Sequence, residues 1–135
     1  MKEWKLTTSW AAGFFDGEGC VSVSRRKRGN FIEHFISVQI GQKDDTPLKA
    51  FKLKYGGSQC PSKTPSDCAR WRIHGKASER FLKDIYPYTI VKREQIRIVL
   101  EIRKLIGKPG HHISKETWDK KERLWHELQR EKGKE

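Results

Sequence analysis

The sequence predicts a mixed α+β domain in which helices pack on one antiparallel sheet, in the order helix, two strands, helix, two strands, helices. Two observations support this order. Paired segments alternate apolar and polar residues at the two-residue period of a strand, and the segments around them repeat apolar residues at helical spacing. Turns that contain glycine or proline separate these segments. With 135 residues, the chain is expected to form a single domain over 1–135.

The first element is predicted to be a helix at about 8–17, which Thr7 or Thr8 can cap. Ser9, Gly13 and Gly17 recur every four residues, so a helix presents them as one stripe with almost no side chains. Such a stripe allows another backbone to approach closely. We therefore expect the stripe to be an interface. Because this segment occurs once in the chain, its partner is expected to be a second subunit.

The rest of this helix carries bulk and charge. Trp10, Phe14 and Phe15 lie off the stripe and are predicted to face the core. Gly17 and Gly19 are expected to permit an abrupt end of the helix that a β-carbon would obstruct, which holds Glu18 at the helix tip. In a pair of such helices, two Glu18 carboxylates would meet near a two-fold axis. Like charges at that distance require a cation between them.

Two alternating segments, 20–27 and 31–42, are predicted to form a hairpin with a turn at Gly29-Asn30. One face of this hairpin is apolar, and His34 interrupts it as an expected strand-end residue. The opposite face is polar and presents Ser22, Ser24, Arg26 and Arg28 from the first strand and Ser37 and Gln39 from the second.

A second hairpin is predicted to have the same two faces. Trp71 and Ile73 are expected in the core, whereas Arg70 and Arg72 extend the polar face. The elements after the first hairpin are predicted in the order helix 45–55, strand 58–60, strand 69–74, helix 78–86, helix 93–106 and a last helix that Ser114 caps, with the C-terminal helices spanning about 92–131.

The chain is strongly basic. Lys and Arg total 29 against 17 Asp and Glu, a formal net charge of +12, which indicates a polyanionic partner. A twisted ribbon that presents Ser, Gln and Arg fits the major groove of double-stranded DNA, and Arg25 and Lys27 are expected to contact phosphates. No apolar run approaches the roughly 20 residues of a membrane span, and we expect no secretion signal in the first residues. We therefore expect a soluble intracellular protein, in a cytoplasm or an organelle.

The cysteines do not indicate a metal site. Cys20, Cys60 and Cys68 contain no Cys-x-x-Cys pair. A zinc site that adds His111 and His112 matches no usual ligand spacing. Reduced cysteines are the expectation.

Residues 11–19, Ala-Ala-Gly-Phe-Phe-Asp-Gly-Glu-Gly, resemble the signature of the LAGLIDADG homing endonucleases. Ala11 stands where the family has Leu, and Glu18 stands where it has Asp, which retains a carboxylate ligand. The resemblance extends to about Gly107 and implies an αββαββα fold whose antiparallel sheet forms a DNA-binding saddle. It also implies that Glu18 binds the catalytic metal. We expect the Gly17 carbonyl as a further ligand and Mg²⁺ as the ion, with Mn²⁺ as a substitute.

Two more active-site positions follow from the resemblance. Gln42 matches a Gln that orders the attacking water, and Lys92 matches a basic residue beside the scissile phosphate. The alternatives are a strand-capping role for Gln42 and an exposed cation before a helix for Lys92. Some single-motif members carry an Arg shortly after the Gln, where this chain has Asp44-Asp45-Thr46-Pro47, and Lys43 or Lys49 is the candidate substitute.

The leading hypothesis is a metal-dependent, site-specific endonuclease that acts on double-stranded DNA as a homodimer, at a palindromic or near-palindromic site. The first alternative is an RNA-binding intron maturase on the same scaffold. The second is a DNA-binding regulator that does not cleave. Glu18 argues against the regulator, because a protein that only binds has no use for paired carboxylates next to phosphate.

Overall fold

The computed structural model describes residues 4–29, 31–106 and 114–134, and the side chains of Arg28 and Phe31 lie outside this description. The elements follow the predicted order. They are α1 (Thr8–Glu18), β1 (Gly19–Arg28), β2 (Phe31–Gln42), α2 (Thr46–Tyr55), β3 (Ser58–Cys60), β4 (Ala69–His74), α3 (Gly75–Ile85), a 3₁₀ turn (Tyr86–Tyr88), α4 (Arg93–Leu105) and α5 (Lys115–Lys132). The predicted α+β class and the αββαββα order are confirmed.

The four strands form one antiparallel sheet in the spatial order β1-β2-β4-β3. The long strand β2 is central, because it pairs with β1 over most of its length and with β4 through its C-terminal half. β1 begins directly after α1, and its first residue, Gly19, lies opposite Ile40. The end of α1 is therefore held beside the end of β2.

The pleat of the strands separates an apolar face from a polar face. The apolar face packs against the helices, and Trp71 is its largest side chain, with its ring 5.0 Å from Phe51 and 5.3 Å from Phe81 between centroids. Burial of each such aromatic ring contributes about 1.5–3 kcal/mol. The buried apolar residues of the sheet are Val21, Val23, Ile36, Val38, Ile40, Ala69, Trp71 and Ile73. Each helix in the described ranges is too short or too polar to cross a bilayer.

One helix begins earlier than the sequence predicts. α3 starts at Gly75 rather than at Ser78 and follows β4 without a loop. Gly75 has φ +59°, a left-handed conformation that glycine adopts without strain, and it turns the chain directly from strand to helix. Ser78 lies inside the helix and is buried.

The buried face of α1 differs from the predicted one. Phe15 is fully buried, but Trp10 remains 38% exposed and stacks on Phe14 with ring centroids 4.9 Å apart. The prediction that Trp10 faces the core is therefore wrong. Ala11 and Ala12 are fully buried in its place, because their small side chains allow the helix to lie close to the rest of the fold.

Gly19 is required by packing and not by its backbone conformation. Its φ of −91° is available to any residue. A β-carbon at this position would, however, collide with the ring of Phe15. The expectation that a side chain would obstruct the end of α1 is thus confirmed for Gly19. It does not hold for Gly17, where an added β-carbon meets nothing within 4 Å among the described residues.

The last helix covers the free edge of the sheet. Trp125 donates its indole N–H to the carbonyl of Val23 at 2.7 Å, and the Lys132 ammonium donates to the carbonyl of Val21 at 2.8 Å. Both carbonyls belong to β1, which lies at the edge of the sheet. An open strand edge invites pairing with other chains, so α5 protects the hairpin with side-chain donors.

A buried ionic cluster fastens α5 to the hairpin. His34 lies within β2 and not at a strand end as predicted, and its Nε2 lies 2.9 Å from Glu122 Oε1. Arg25 also binds Glu122, through N–O contacts of 2.9 and 3.1 Å. Burial, followed by the charge of Lys121, lowers the pKa of His34 below its ordinary value. Arg25, which was expected to contact phosphate, thus lies on the helix side of the sheet and is bound to Glu122.

Candidate nucleic-acid interface and active site

The polar face of the sheet carries the residues that the sequence predicts to contact DNA. Ser22 lies opposite Ser37, and Gln39 lies opposite Arg72, so these side chains form rows across neighbouring strands. We call this surface the polar sheet face, and its predicted members with described side chains are Ser22, Ser24, Arg26, Ser37, Gln39, Arg70 and Arg72. The side chain of Arg28 lies outside the described part of the chain.

Hydrogen bonds between strands hold several of these side chains in place. Arg72 Nε donates to Gln39 Oε1 at 2.7 Å, and the hydroxyls of Ser22 and Ser37 are 2.8 Å apart. Side chains that are already ordered lose less conformational entropy when a ligand binds. The polar sheet face is therefore partly organised for recognition in the absence of a partner.

An aromatic group on this face was not assigned a role from the sequence. The Arg26 guanidinium lies over the ring of Phe35, 4.5 Å from its centroid, and the His74 ring is 5.5 Å from that of Phe35. Alternation along β2 already places Phe35 on the polar side. An apolar side chain in the major groove contacts the methyl group of thymine, so Phe35 and His74 extend the set of candidate base contacts.

Glu18 is the last residue of α1, and its side chain is exposed. Among the described residues, its carboxylate forms neither a hydrogen bond nor an ion pair. The side chain therefore has its oxygen atoms available for a ligand outside this chain. Its position at the helix tip is the predicted one.

Gln42 ends β2 and lies at the same end of the sheet as Glu18. Since Gly19 pairs with Ile40, continuing the antiparallel register beyond this pair leads from Glu18 towards Gln42. The Gln42 Oε1 accepts a hydrogen bond from the Lys43 backbone N–H at 3.2 Å. This is a strand-capping contact, and it does not use the amide nitrogen of Gln42.

Lys92 precedes α4 and is buried, with 6% of its surface exposed. The alternative of an exposed cation is therefore wrong. Its ammonium donates a hydrogen bond to the carbonyl of Asp16 in the last turn of α1, at 2.9 Å. Of the three predicted active-site residues, Glu18 thus lies in the last turn of α1, Lys92 binds that turn, and Gln42 ends β2 at the same end of the sheet.

The residues after Gln42 are engaged at the start of α2. Asp44 Oδ1 accepts the backbone N–H of Thr46 at 3.0 Å, and this hydrogen bond lowers the pKa of Asp44. Lys49 forms an ion pair with Asp45 at 3.6 Å. Lys43 is exposed and directly follows β2, so of the two lysines considered as substitutes for an arginine, it lies nearer in sequence to the end of the strand.

The described residues of a single chain offer few ligands for a metal ion. No group of three or more His, Cys, Asp or Glu residues suited to a metal occurs in the described ranges. Glu18 and the carbonyl of Gly17 are hard oxygen donors of the type that Mg²⁺ prefers. They fit a divalent ion as half of a site and need ligands from a second molecule or from phosphate. The described cysteines are free thiols, and His111 and His112 lie outside the described residues.

The stripe formed by Ser9, Gly13 and Gly17 is exposed along α1. A β-carbon on Gly13 or Gly17 would meet nothing within 4 Å in the described part of the chain. Contacts within one chain therefore do not explain the two glycines. Exposed apolar side chains also occur near the end of α1: Ile90 is 84% exposed and Val91 62% exposed.

Comparisons with known proteins identify the fold. No protein-family profile matches the chain, and no curated protein matches it in sequence. Among solved structures, the homing endonuclease I-CvuI in complex with its target has a TM-score of 0.77 and 20% identity, over 92% of this chain and 80% of that chain. The archaeal intron-encoded homing endonuclease I-Vdi141I, complexed with DNA, has a TM-score of 0.77 and 22% identity, over 92% and 82% of the two chains. The homing endonuclease I-TnaI has a TM-score of 0.72 and 22% identity, over 97% of this chain and 99% of that chain.

A longer protein gives a different coverage. I-SmaMI, bound to an uncleaved DNA target, matches 92% of this chain but only 45% of its own, with a TM-score of 0.70 and 21% identity. This chain thus corresponds to about half of that protein. The match to the LAGLIDADG homing endonuclease I-GzeII, in complex with its DNA target, likewise covers 92% of this chain but only 44% of that chain. The resemblance found in residues 11–19 therefore extends to the whole architecture, and the chain has the fold of the LAGLIDADG homing endonucleases.

Proposed function

We propose that this protein is a site-specific endonuclease that cleaves double-stranded DNA as a homodimer, at a palindromic or near-palindromic site. The observation that carries the proposal is the position of Glu18. This exposed carboxylate lies at the tip of a bare glycine stripe and at the end of an arginine-bearing sheet. A carboxylate placed there is suited to hold a cation against a phosphate.

The polar sheet face supports binding to duplex DNA. Its ribbon of Ser, Gln and Arg suits the major groove, and the net charge of +12 favours a polyanion. Among the described residues, the hydrogen bond from Arg72 to Gln39 uses Nε alone. The terminal guanidinium nitrogens of Arg72 are therefore donors for the O6 and N7 atoms of guanine.

The same face favours DNA over RNA. The major groove of an A-form RNA helix is deep and narrow and does not admit a protein ribbon, whereas that of B-form DNA does. The alternative of an RNA-binding maturase would require another surface. A regulator that does not cleave would bind through the same face but has no use for Glu18.

Two features support a homodimer that is built on α1. The stripe of Ser9, Gly13 and Gly17 leaves the backbone accessible to a second helix. In addition, the chain corresponds to about half of I-SmaMI, a DNA-bound protein. Pairing through the stripe brings a second Glu18 to the first, and each copy contributes one polar sheet face to half of the target.

Each side chain of the site then has a distinct role. Glu18 and the Gly17 carbonyl of both copies would hold divalent ions, with Mg²⁺ preferred and Mn²⁺ as a substitute; the structures of I-CvuI with DNA were determined in the presence of calcium or magnesium. The ion held by these groups would supply Lewis-acid polarisation of the phosphate and a lower pKa for its bound water. Gln42 orients water through its amide group, and the Lys92 ammonium stabilises the negative charge that develops on the phosphate.

The test is a cleavage assay. Its substrate is a DNA duplex that joins the two sequences flanking the insertion that carries the gene for this protein. The purified protein should cut this duplex in Mg²⁺ and leave it intact with a chelator, while a shuffled duplex of equal length remains uncut under both conditions. Cleavage that is indifferent to sequence, or that persists in the chelator, would refute the proposal.

A further inference from the structure

The segment before α4 is bound to the last turn of α1 through one acidic side chain. Asp16 Oδ2 accepts the backbone N–H groups of Ile90 at 2.6 Å and of Val91 at 3.1 Å, and Oδ1 accepts that of Lys92 at 3.0 Å. Three consecutive backbone donors thus converge on one carboxylate. The sequence separation between the partners is 74 to 76 residues, so only the fold brings them together.

A hydrogen bond in the opposite direction completes the connection. The Lys92 ammonium donates to the Asp16 carbonyl at 2.9 Å. The carboxylate lies at the N-terminal end of α4 and the ammonium lies at the C-terminal end of α1. Each charge is therefore placed where the helix dipole favours it.

This arrangement determines where the Lys92 charge is located. Both the backbone and the side chain of Lys92 are bound to the same residue, and the lysine is 6% exposed. Asp16 lies in the last turn of α1, which ends at Glu18. We propose that Asp16 is the positioning residue for Lys92, an inference that rests on the proposed function, and that it holds this cation next to the carboxylate which binds the metal.

The chemistry of the contact requires an aspartate. Two carboxylate oxygens accept three N–H donors, whereas asparagine offers one acceptor oxygen and turns an amide N–H₂ towards a backbone donor. Glutamate keeps the charge but moves the oxygens by one methylene. Both Asp16→Asn and Asp16→Glu are therefore expected to displace Lys92 while leaving the polar sheet face unchanged.

Cleavage kinetics separate positioning from general support of the fold. In single-turnover assays with saturating DNA, Asp16→Asn should lower the cleavage rate about 10²-fold, the effect of misplacing a catalytic group by about 1 Å, with target affinity unchanged. In a Lys92→Met background the same replacement should cost little further activity, because the cation to be positioned is absent. Glu94→Gln, which neutralises an exposed carboxylate in the first turn of α4, is the matched control and should retain the wild-type rate.

A second measurement does not depend on cleavage. The ¹⁵N NMR signal of the Lys92 ammonium, identified by its loss in Lys92→Met, should indicate an ordered group in the wild-type protein. In Asp16→Asn the signal should shift and show faster internal motion, while Glu94→Gln leaves it unchanged. Asp16→Glu, examined in the same way, replaces Asp16→Asn if the latter does not fold.

The outcomes distinguish this inference from the proposed function. A wild-type protein that cuts none of its targets refutes the proposed function, and the NMR comparison still decides the role of Asp16. Unchanged Lys92 signals in the Asp16 variants overturn the inference. It is also overturned if the cleavage rate of the double variant Asp16→Asn, Lys92→Met falls by the product of the two single losses. Loss of folding in both Asp16 variants would also overturn it, because Asp16 would then be a structural residue.

Discussion

The two faces of the β1–β2 hairpin both carry arginine, in different surroundings. Arg26 lies over the ring of Phe35 on the polar sheet face and is exposed. Its neighbour Arg25 is bound to Glu122 and lies over the Trp125 ring, 4.7 Å from the centroid. The pleat directs one guanidinium towards the surface that is proposed to bind DNA and the other towards α5. An arginine in this sequence therefore does not by itself show whether it binds a ligand or stabilises the fold. The face of the strand on which it lies must also be known.

The proposed functional side of the molecule extends from the polar sheet face to the tip of α1, and the structural side is the region between the hairpin and α5. Changes on the first side should impair cleavage or recognition without loss of folding. Changes on the second should lower stability without altering the target. The predictions below test this division, beginning with the largest expected effect.

The largest effect is expected for Glu18→Gln. The amide retains the shape of the side chain but removes the charge that holds a metal ion, so cleavage in Mg²⁺ should fall below detection. Target affinity, measured by electrophoretic mobility shift, should be retained or increased, because two carboxylates facing phosphates are removed. Glu116→Gln, at an exposed position in the first turn of α5, should cleave normally. Cleavage by Glu18→Gln at a rate near wild type would contradict the assignment of Glu18.

Gly13→Leu should convert the proposed homodimer to a monomer. The new side chain points away from its own chain, where nothing lies within 4 Å among the described residues, so the fold should be retained. It would, however, prevent close approach of a second helix. Sedimentation equilibrium should show the change in mass, and Lys120→Leu, on the exposed surface of α5, should not alter it. A wild-type protein that is monomeric both alone and with DNA would rule out this interface.

On the structural side, Glu122→Ala should destabilise the protein. The replacement leaves Arg25 and His34 without their shared carboxylate, and a buried polar group that loses its partner costs about 1–3 kcal/mol. Chemical denaturation should show this loss in the free energy of unfolding, whereas Glu116→Ala should lie within about 0.5 kcal/mol of wild type. The folded variant should prefer the same DNA target. A changed target preference would show that α5 also takes part in recognition.

On the functional side, Arg72→Ala should weaken and broaden recognition. Loss of a bidentate contact with guanine costs about 1–3 kcal/mol of discrimination at one base pair. Binding to a set of single-base target variants should reveal the relaxed position. Arg123→Ala, which removes the same charge from the exposed surface of α5, should not relax discrimination at any base pair. If both variants bind all duplexes with equal losses, Arg72 contacts phosphate and does not read a base.

The smallest effect is a dependence of stability on pH that originates from His34. Its pKa is lowered in the folded protein and returns to about 6.5 in the unfolded chain. The unfolded state therefore binds the proton more readily. The contribution of His34 to the free energy of unfolding is complete above about pH 6.5 and declines as the pH falls towards the lowered pKa of the folded state. Thermal melts between about pH 5.5 and about pH 7.5 should show this slope. It should flatten in His34→Gln and persist in His74→Gln, where the replaced histidine is exposed.

Local physics explains which features could be predicted from the sequence. Thr7 and Ser114 cap their helices through hydrogen bonds to residues three positions later, a contact that a short segment makes by itself. The faces of the strands follow from a two-residue period that any extended chain obeys. The resemblance in residues 11–19 predicts a metal-binding role for Glu18, and the wider family resemblance predicts active-site roles for Gln42 and Lys92.

The sequence by itself thus determined the order of the elements, the polar sheet face and the exposed acid at the end of α1. Only the tertiary structure decided that Lys92 is buried against Asp16, that Glu122 binds His34 and Arg25, and that the ring of Phe15 excludes a side chain at Gly19. The physical reason is distance along the chain. The repeat of apolar residues along a segment determines which face of that helix or strand is buried. A contact between residues 76 or 88 positions apart depends instead on how whole elements pack, which no local pattern records.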